Sequence, residues 1–129
     1  MIWEFLQKKT GNIGEDFICE KLLEKGFNIL ARNYTIKGGE IDIIASKDDI
    51  IAFVEVKTRK INSLSSGYDA VDNKKIKRII KTAEDYIWKN GIELQPRYDV
   101  AVVIHNNGKI WNFDYIENAY DVSDFNNIF

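Results

Sequence analysis

Two apolar runs set close together constrain this chain more than any other feature. Residues 40–45 and 50–58 are rich in isoleucine and valine, and only the polar stretch Ser46-Lys47-Asp48-Asp49 separates them. β-Branched side chains suit a pleated, buried surface, and so short a polar link joins two strands as a hairpin. Such a hairpin needs apolar cover, and helical spacing supplies it twice. Residues 11–25 place Ile13, Phe17, Ile18, Cys19 and Leu22 along one stripe, ended by Gly26. Residues 72–90 repeat the pattern with Ile76, Ile79, Ile80, Ala83, Tyr86 and Ile87, ended by Asn90-Gly91.

The remaining segments complete an order. Residues 27–33 read as a strand with Phe27, Ile29 and Ala31 on one face, and Gly38-Gly39 as a turn. Residues 60–67, with three serines and a glycine, read as a loop. Pro96 opens a strand over 97–105, Asn107-Gly108 turns it, and 109–113 returns. An acidic tail at 115–129 carries a short helix. The sequence therefore predicts an α/β fold in the order α-β-β-β-α-β-β, a mixed sheet flanked by helices. The long helix between the third and fourth strands lets those two lie parallel. At 129 residues the chain fits one domain spanning 1–129.

Composition narrows the chemistry. With one cysteine there is no internal disulfide, and Cys19 reads as a core residue. With one histidine there is no histidine metal cluster, and His105 reads as a strand-end residue. Trp3, Trp88 and Trp111 read as core or interface. No phosphate-binding Gly-Lys-Ser/Thr loop occurs, and no run approaches a membrane span, so a cytoplasmic protein without a membrane partner is expected. The formal net charge is −2, but its distribution is uneven. Residues 56–81 hold eight bases against two acids, whereas 110–129 hold four acids and no base. A polyanion would approach the middle of the chain. Along the second helix Lys74, Lys77, Arg78 and Lys81 form a stripe opposite the apolar face, either a solvated face or a phosphate-backbone contact.

The hairpin carries the sharpest chemistry. Alternation puts Val54 and Val56 on one face and Glu55, Lys57 and Arg59 on the other. A two-residue loop at Asp48-Asp49 would set Asp42 directly opposite Glu55, and a four-residue loop on a diagonal. Paired carboxylates repel and weaken a sheet unless a cation lies between them, and Mg²⁺ or Mn²⁺ suits oxygen ligands. Lys57 then stands where an ammonium orients a water or stabilises phosphate charge. The alternative is a surface ion pair of Glu55 with Lys57.

The segments Gly-Glu-Ile-Asp-Ile-Ile-Ala at 39–45 and Phe-Val-Glu-Val-Lys-Thr-Arg at 53–59 resemble the signatures of the YraN-type family. That family is similar to restriction-endonuclease-like PD-(D/E)xK nucleases and to archaeal Holliday-junction resolvases. Gly11-Asn12-Ile13-Gly14-Glu15, Ala31-Arg32-Asn33-Tyr34, Lys74-Lys75 and Pro96-Arg97-Tyr98-Asp99-Val100 extend the likeness over most of the chain. Thr35 stands where the pattern expects a base. The resemblance implies a restriction-endonuclease-like fold and a catalytic set of Glu15, Asp42, Glu55 and Lys57. It implies a Mg²⁺ or Mn²⁺ held by Asp42, Glu55 and the Val56 carbonyl. Glu15 alone would otherwise read as an acid placed at a helix start for the dipole.

The expected function is a divalent-metal-dependent nuclease acting on nucleic acid, DNA in the first instance and branched DNA among the substrates. Arg59, Lys74, Lys75, Lys77, Arg78 and Lys81 are the expected backbone contacts, and a homodimer is a further expectation. The alternative is a nucleic-acid-binding or assembly module on the same fold without turnover.

Overall fold

The computed structural model describes residues 12–62 and 73–121. Five strands form one open sheet in chain order: β1 (Asn28–Ile36), β2 (Gly39–Lys47), β3 (Ile50–Lys60), β4 (Gln95–Asn106) and β5 (Lys109–Ile116). Helix α1 (Ile13–Glu24) precedes β1, and α2 (Asn73–Asn90) crosses from β3 to β4. All neighbours are antiparallel except β3 and β4, which the crossover helix makes parallel. The predicted order and the mixed sheet are thus the observed ones. Trp3, the serines of the expected loop and the helix expected in the tail fall outside the described residues.

Each helix covers one face of the hairpin. Ile18, Cys19 and Leu22 of α1 pack on Ile43, Ala45, Ala52, Val54, Ala101 and Val103. Ile76, Ile79, Ile80, Ala83 and Tyr86 of α2 pack on Ile41, Ile44, Ile51, Phe53 and Tyr98. Both helices stop by the same device. Gly26 and Gly91 take left-handed φ of 92° and 59°, and the amides of Phe27 and Ile92 reach back to the Leu22 and Ile87 carbonyls, both at 3.0 Å. Burial pushes the Cys19 thiol up to about 11, as a core cysteine requires. Among the described residues no helix is long and apolar enough to cross a membrane.

Three details depart from the sequence reading, and a fourth extends it. In β1 the register shifts between Ile29 and Ala31, so Ile29 faces α1 while Ala31 packs on the α2 side. Leu30 is the extra residue, and a bulge reverses the alternation beyond it. Trp88 and Trp111 are 83% and 62% exposed, so neither is core. β5 runs on to Ile116, and the chain then returns over the sheet: the Ala119 amide donates to the Tyr98 carbonyl at 2.7 Å and Tyr120 stacks on Tyr98 at 5.5 Å. Finally, Asp99 is only 1% exposed and accepts from Arg97 Nε, Tyr115 Oη and the Asn118 amide at 2.9, 2.6 and 3.0 Å. The strand pair Arg97 and Asp99 is therefore a structural pin joining β4, β5 and the returning segment.

Close approach of the helices rests on two glycines. A Cβ on Gly14 would lie 2.0 Å from Thr58 Oγ1, and one on Gly39 would lie 2.1 Å from Thr82 Oγ1. Gly14 sets α1 against β3, and Gly39 sets β2 against α2. Gly14→Ala is expected to cost about 1–3 kcal/mol by overpacking. Thr58→Ala in the same chain should restore part of that loss. Urea denaturation of the single and double variants reads both effects.

Candidate functional site

The site begins where the hairpin comes apart. The turn is the two residues Asp48-Asp49, with Lys47 paired to Ile50, and the ladder runs from there to Ile43 opposite Val54. It ends one step short of Asp42 and Glu55. Ile41 and Ile44 both pack on the α2 side while Ile43 and Ala45 pack on the α1 side, so alternation in β2 breaks at Asp42. β1 breaks beside it, where Asn33 takes a left-handed φ of 52°. Two carboxylates set squarely across a ladder repel, and the sheet avoids that arrangement. Asp42 instead accepts the Val56 amide at 2.8 Å, occupying the donor that β2 would otherwise have met. Strand geometry turns the Val56 carbonyl to the same side as its amide.

Glu55 follows Phe53 on the α2 face, where Lys75 of α2 forms an ion pair with its Oε1. β3 pairs with β4 without interruption from Ile50 to Lys60, so alternation holds and Lys57 and Arg59 share the face of Glu55. The Arg59 guanidinium donates to the Thr58 carbonyl at 3.0 Å. Glu15 comes from the opposite face. Asn12 caps α1, accepting the Glu15 amide at 3.0 Å, and its Nδ2 donates to Glu15 Oε2 at 3.1 Å. Arg32 lies 3.7 Å from Glu15 Oε1 and 2.8 Å from Asp16. Glu15 is therefore a helix-start residue and a neighbour of Asp42 at once.

The electrostatics records this convergence. Burial, then the Asp42 charge, raises the Glu15 carboxyl above its ordinary value, against Arg32 and Asn33, which pull it down. Burial raises Asp42 too, with Glu55 and Glu40 adding to the rise and the Val56 amide and Lys75 opposing it. Glu15 and Glu55 are 7% and 9% exposed. Among the described residues no hydrogen bond reaches Glu15 Oε1 or Glu55 Oε2. Buried carboxylate oxygens left without a donor are costly, and a divalent cation supplies the missing charge and coordination. The donor set thus fits Mg²⁺ or Mn²⁺, with Asp42, Glu55 and the Val56 carbonyl as the oxygens able to hold it. The described residues hold no preassembled group of three or more metal-binding side chains.

Sequence reasoning missed two members of this neighbourhood, Glu40 and Tyr120, and did not foresee the carboxylate partner of a third, Lys75. Glu40 lines a cavity of about 210 Å³ with Asp42, Glu55 and Lys75, although its place two residues before Asp42 was a visible signal. Lys75 reads from sequence as a backbone contact, yet it lies on Glu55. The Glu55 charge, after burial, holds the Tyr120 hydroxyl well above its ordinary value, and only the tertiary return of the chain brings Tyr120 there. On α2, Lys74, Arg78 and Lys81 are exposed and Lys77 is half-buried.

Comparison with known proteins agrees with the pattern of segments. A family model described as "Uncharacterised protein family UPF0102" matches residues 14–103. A UPF0102 protein of Dictyoglomus turgidum is 40% identical over 115 residues, covering 88% of this chain and 98% of the relative. One of Alkaliphilus metalliredigens is 44% identical over 116 residues, covering 89% and 100%. One of Fusobacterium nucleatum is 50% identical over 80 residues, covering 62% and 67%. The matched region contains all but the first residue of α1, the hairpin, α2 and most of β4, and the chain belongs to the UPF0102 family, the YraN-type proteins.

Proposed function

We propose that this protein is a divalent-metal-dependent nuclease that hydrolyses phosphodiester bonds in DNA. The observation that carries the reading is Glu55 Oε2, a buried carboxylate oxygen with no hydrogen-bond donor among the described residues, in the cavity that Glu55 shares with Asp42. Retaining such atoms costs stability, and a cation removes the cost. Asp42, Glu55 and the Val56 carbonyl would hold the metal, which would supply an activated water and neutralise phosphate charge. Glu15 shapes the field around Asp42 from the α1 face. Lys57, on the face of Glu55, orients the attacking water or stabilises charge on the phosphate. Lys74, Lys77, Arg78 and Lys81 lie along the helix that borders the site and grip the backbone.

One observation favours a second reading, a nucleic-acid-binding module without turnover: Lys75 holds Glu55, and among the described residues no three-residue metal cluster is preassembled. The nuclease reading accounts for this if substrate phosphate completes the metal's coordination, as Mg²⁺ sites commonly require. A panel of labelled linear, flapped and four-way-junction DNAs with Mg²⁺ or Mn²⁺ separates the two. The nuclease reading expects cleavage of at least one substrate. Glu55→Ala should then lose it, and Lys57→Ala should lose about 10²–10³-fold in rate with little loss of binding. Binding without cleavage under any divalent metal would favour the module.

Backbone contact makes a separate prediction. Lys74→Ala and Lys81→Ala should each weaken DNA binding and reduce the slope of log affinity against log salt by about one. Anisotropy titrations at several salt concentrations measure it.

The raised Asp42 carboxyl makes a third. A folded-state value above the ordinary 3.8 means that the folded protein holds the proton more tightly than the unfolded chain. The charged form therefore costs stability, fully above the raised value and not at all below the ordinary one. Asp42→Asn keeps an acceptor for the Val56 amide and removes the charge. It should melt above wild type at pH 7, with the difference shrinking as pH falls toward 3.8, and it should lose cation binding. Thermal melts across pH, beside a Mn²⁺ titration, check both halves.

A further inference from the structure

Lys75 sits between two adjoining pockets, one mainly acidic and one where a second base joins it. The first is lined by Asp42 and Glu55, the second by Thr35, Gly38, Gly39 and Arg78, and both include Glu40 and Lys75. Its ammonium is paired with Glu55 Oε1. The two partners are not equally fixed: the Lys75 side chain is 54% exposed and the Glu55 side chain 10%. The carboxylate belongs to the wall of the pocket and the ammonium stands at its mouth, on a flexible stem. A divalent cation at Glu55 would compete for the same carboxylate and repel the ammonium. The open side leads to the second pocket, where Arg78 already contributes a cation. Two cations there face the single Glu40 carboxylate, which leaves a net positive charge that suits a phosphate.

We propose that Lys75 is the resting counter-ion of the cation site: its ammonium holds Glu55 until a divalent cation displaces it into the adjoining groove, where it joins Arg78 on a substrate phosphate. This rests on the metal reading above. It makes metal and phosphate binding mutually reinforcing, because each ligand favours the state in which Lys75 has left Glu55, and the reinforcement is reciprocal. It also gives the free protein a weak cation site that strengthens when a nucleic acid arrives.

The test titrates the full chain with Mn²⁺ alone by calorimetry, comparing wild type with Lys75→Gln, Lys75→Arg and Glu55→Gln. Lys75→Gln keeps most of the stem and removes the charge, so it should bind Mn²⁺ about tenfold tighter, an ordinary coupling between two sites. Lys75→Arg keeps the charge and should stay near wild type, and Glu55→Gln should lose binding. Anisotropy with a labelled DNA duplex then compares affinity with and without Ca²⁺. The gain caused by the cation should shrink in Lys75→Gln and persist in Lys75→Arg. Glu55-dependent Mn²⁺ binding that Lys75→Gln leaves unchanged or weakens would overturn the role of Lys75 and leave the metal reading standing. Tighter Mn²⁺ binding with an undiminished gain on DNA would overturn the move to the groove. Absence of Glu55-dependent Mn²⁺ binding in every variant would overturn the metal reading, and this proposal with it.

Discussion

The hydrogen bond from the Val56 amide to Asp42 is the contact on which the site depends. A strand that leaves its neighbour strands the donors of that neighbour, and a buried amide without an acceptor is costly. Here β2 leaves β3 after Ile43, and the Asp42 side chain takes the place of a backbone acceptor. The substitution lets the hairpin open without losing the Val56 bond. It also fixes the Asp42 carboxylate between the faces served by α1 and α2. Glu15 from one helix and Glu55 from the hairpin's other face then lie near enough to perturb it.

The rest of the fold makes that opening affordable. Below it, Ile43, Ala45, Ala52 and Val54 lock the hairpin under α1, while Ile44, Ile51 and Phe53 lock it under α2. Both helices reach the sheet close to the site through Gly14 and Gly39, positions where a methyl group would collide with a threonine. At the other end of β4 the buried Asp99 pins Arg97, Tyr115 and the chain beyond β5. A rigid frame around a cluster of like charges is the usual arrangement of a functional site, where stability is given up locally for chemistry. Lys75 and Arg32 offset part of the charge from opposite sides.

Much of this was legible in the sequence because it follows from short-range rules. Periodicity identified both helices and the strands, whereas the hairpin register stayed open between a two- and a four-residue loop, and the structure has the two-residue turn Asp48-Asp49. Alternation along β3 put Glu55 and Lys57 together because β3 pairs without a break along its length. Where pairing breaks, alternation fails as a guide. The bulge at Leu30 in β1 and the break in alternation at Asp42 in β2 each reverse a face, and neither residue type announces it. Glu40 was readable from its spacing to Asp42. Lys75 was not, since choosing Glu55 over solvent depends on how α2 lies across the sheet. Tyr120 was further out of reach, because its place requires a chain that turns back after β5.

The most direct test is a crystal of the protein grown with Mn²⁺ and a non-hydrolysable DNA, examined by anomalous scattering. The account predicts a manganese peak bonded to oxygens of Asp42 and Glu55 at about 2.0–2.6 Å, the range of hard divalent cations with oxygen ligands. It also predicts that the Val56 carbonyl joins the coordination. A well-ordered complex in which the Asp42 and Glu55 carboxylates bind no metal, with Lys75 still seated on Glu55 and DNA bound elsewhere, would contradict it.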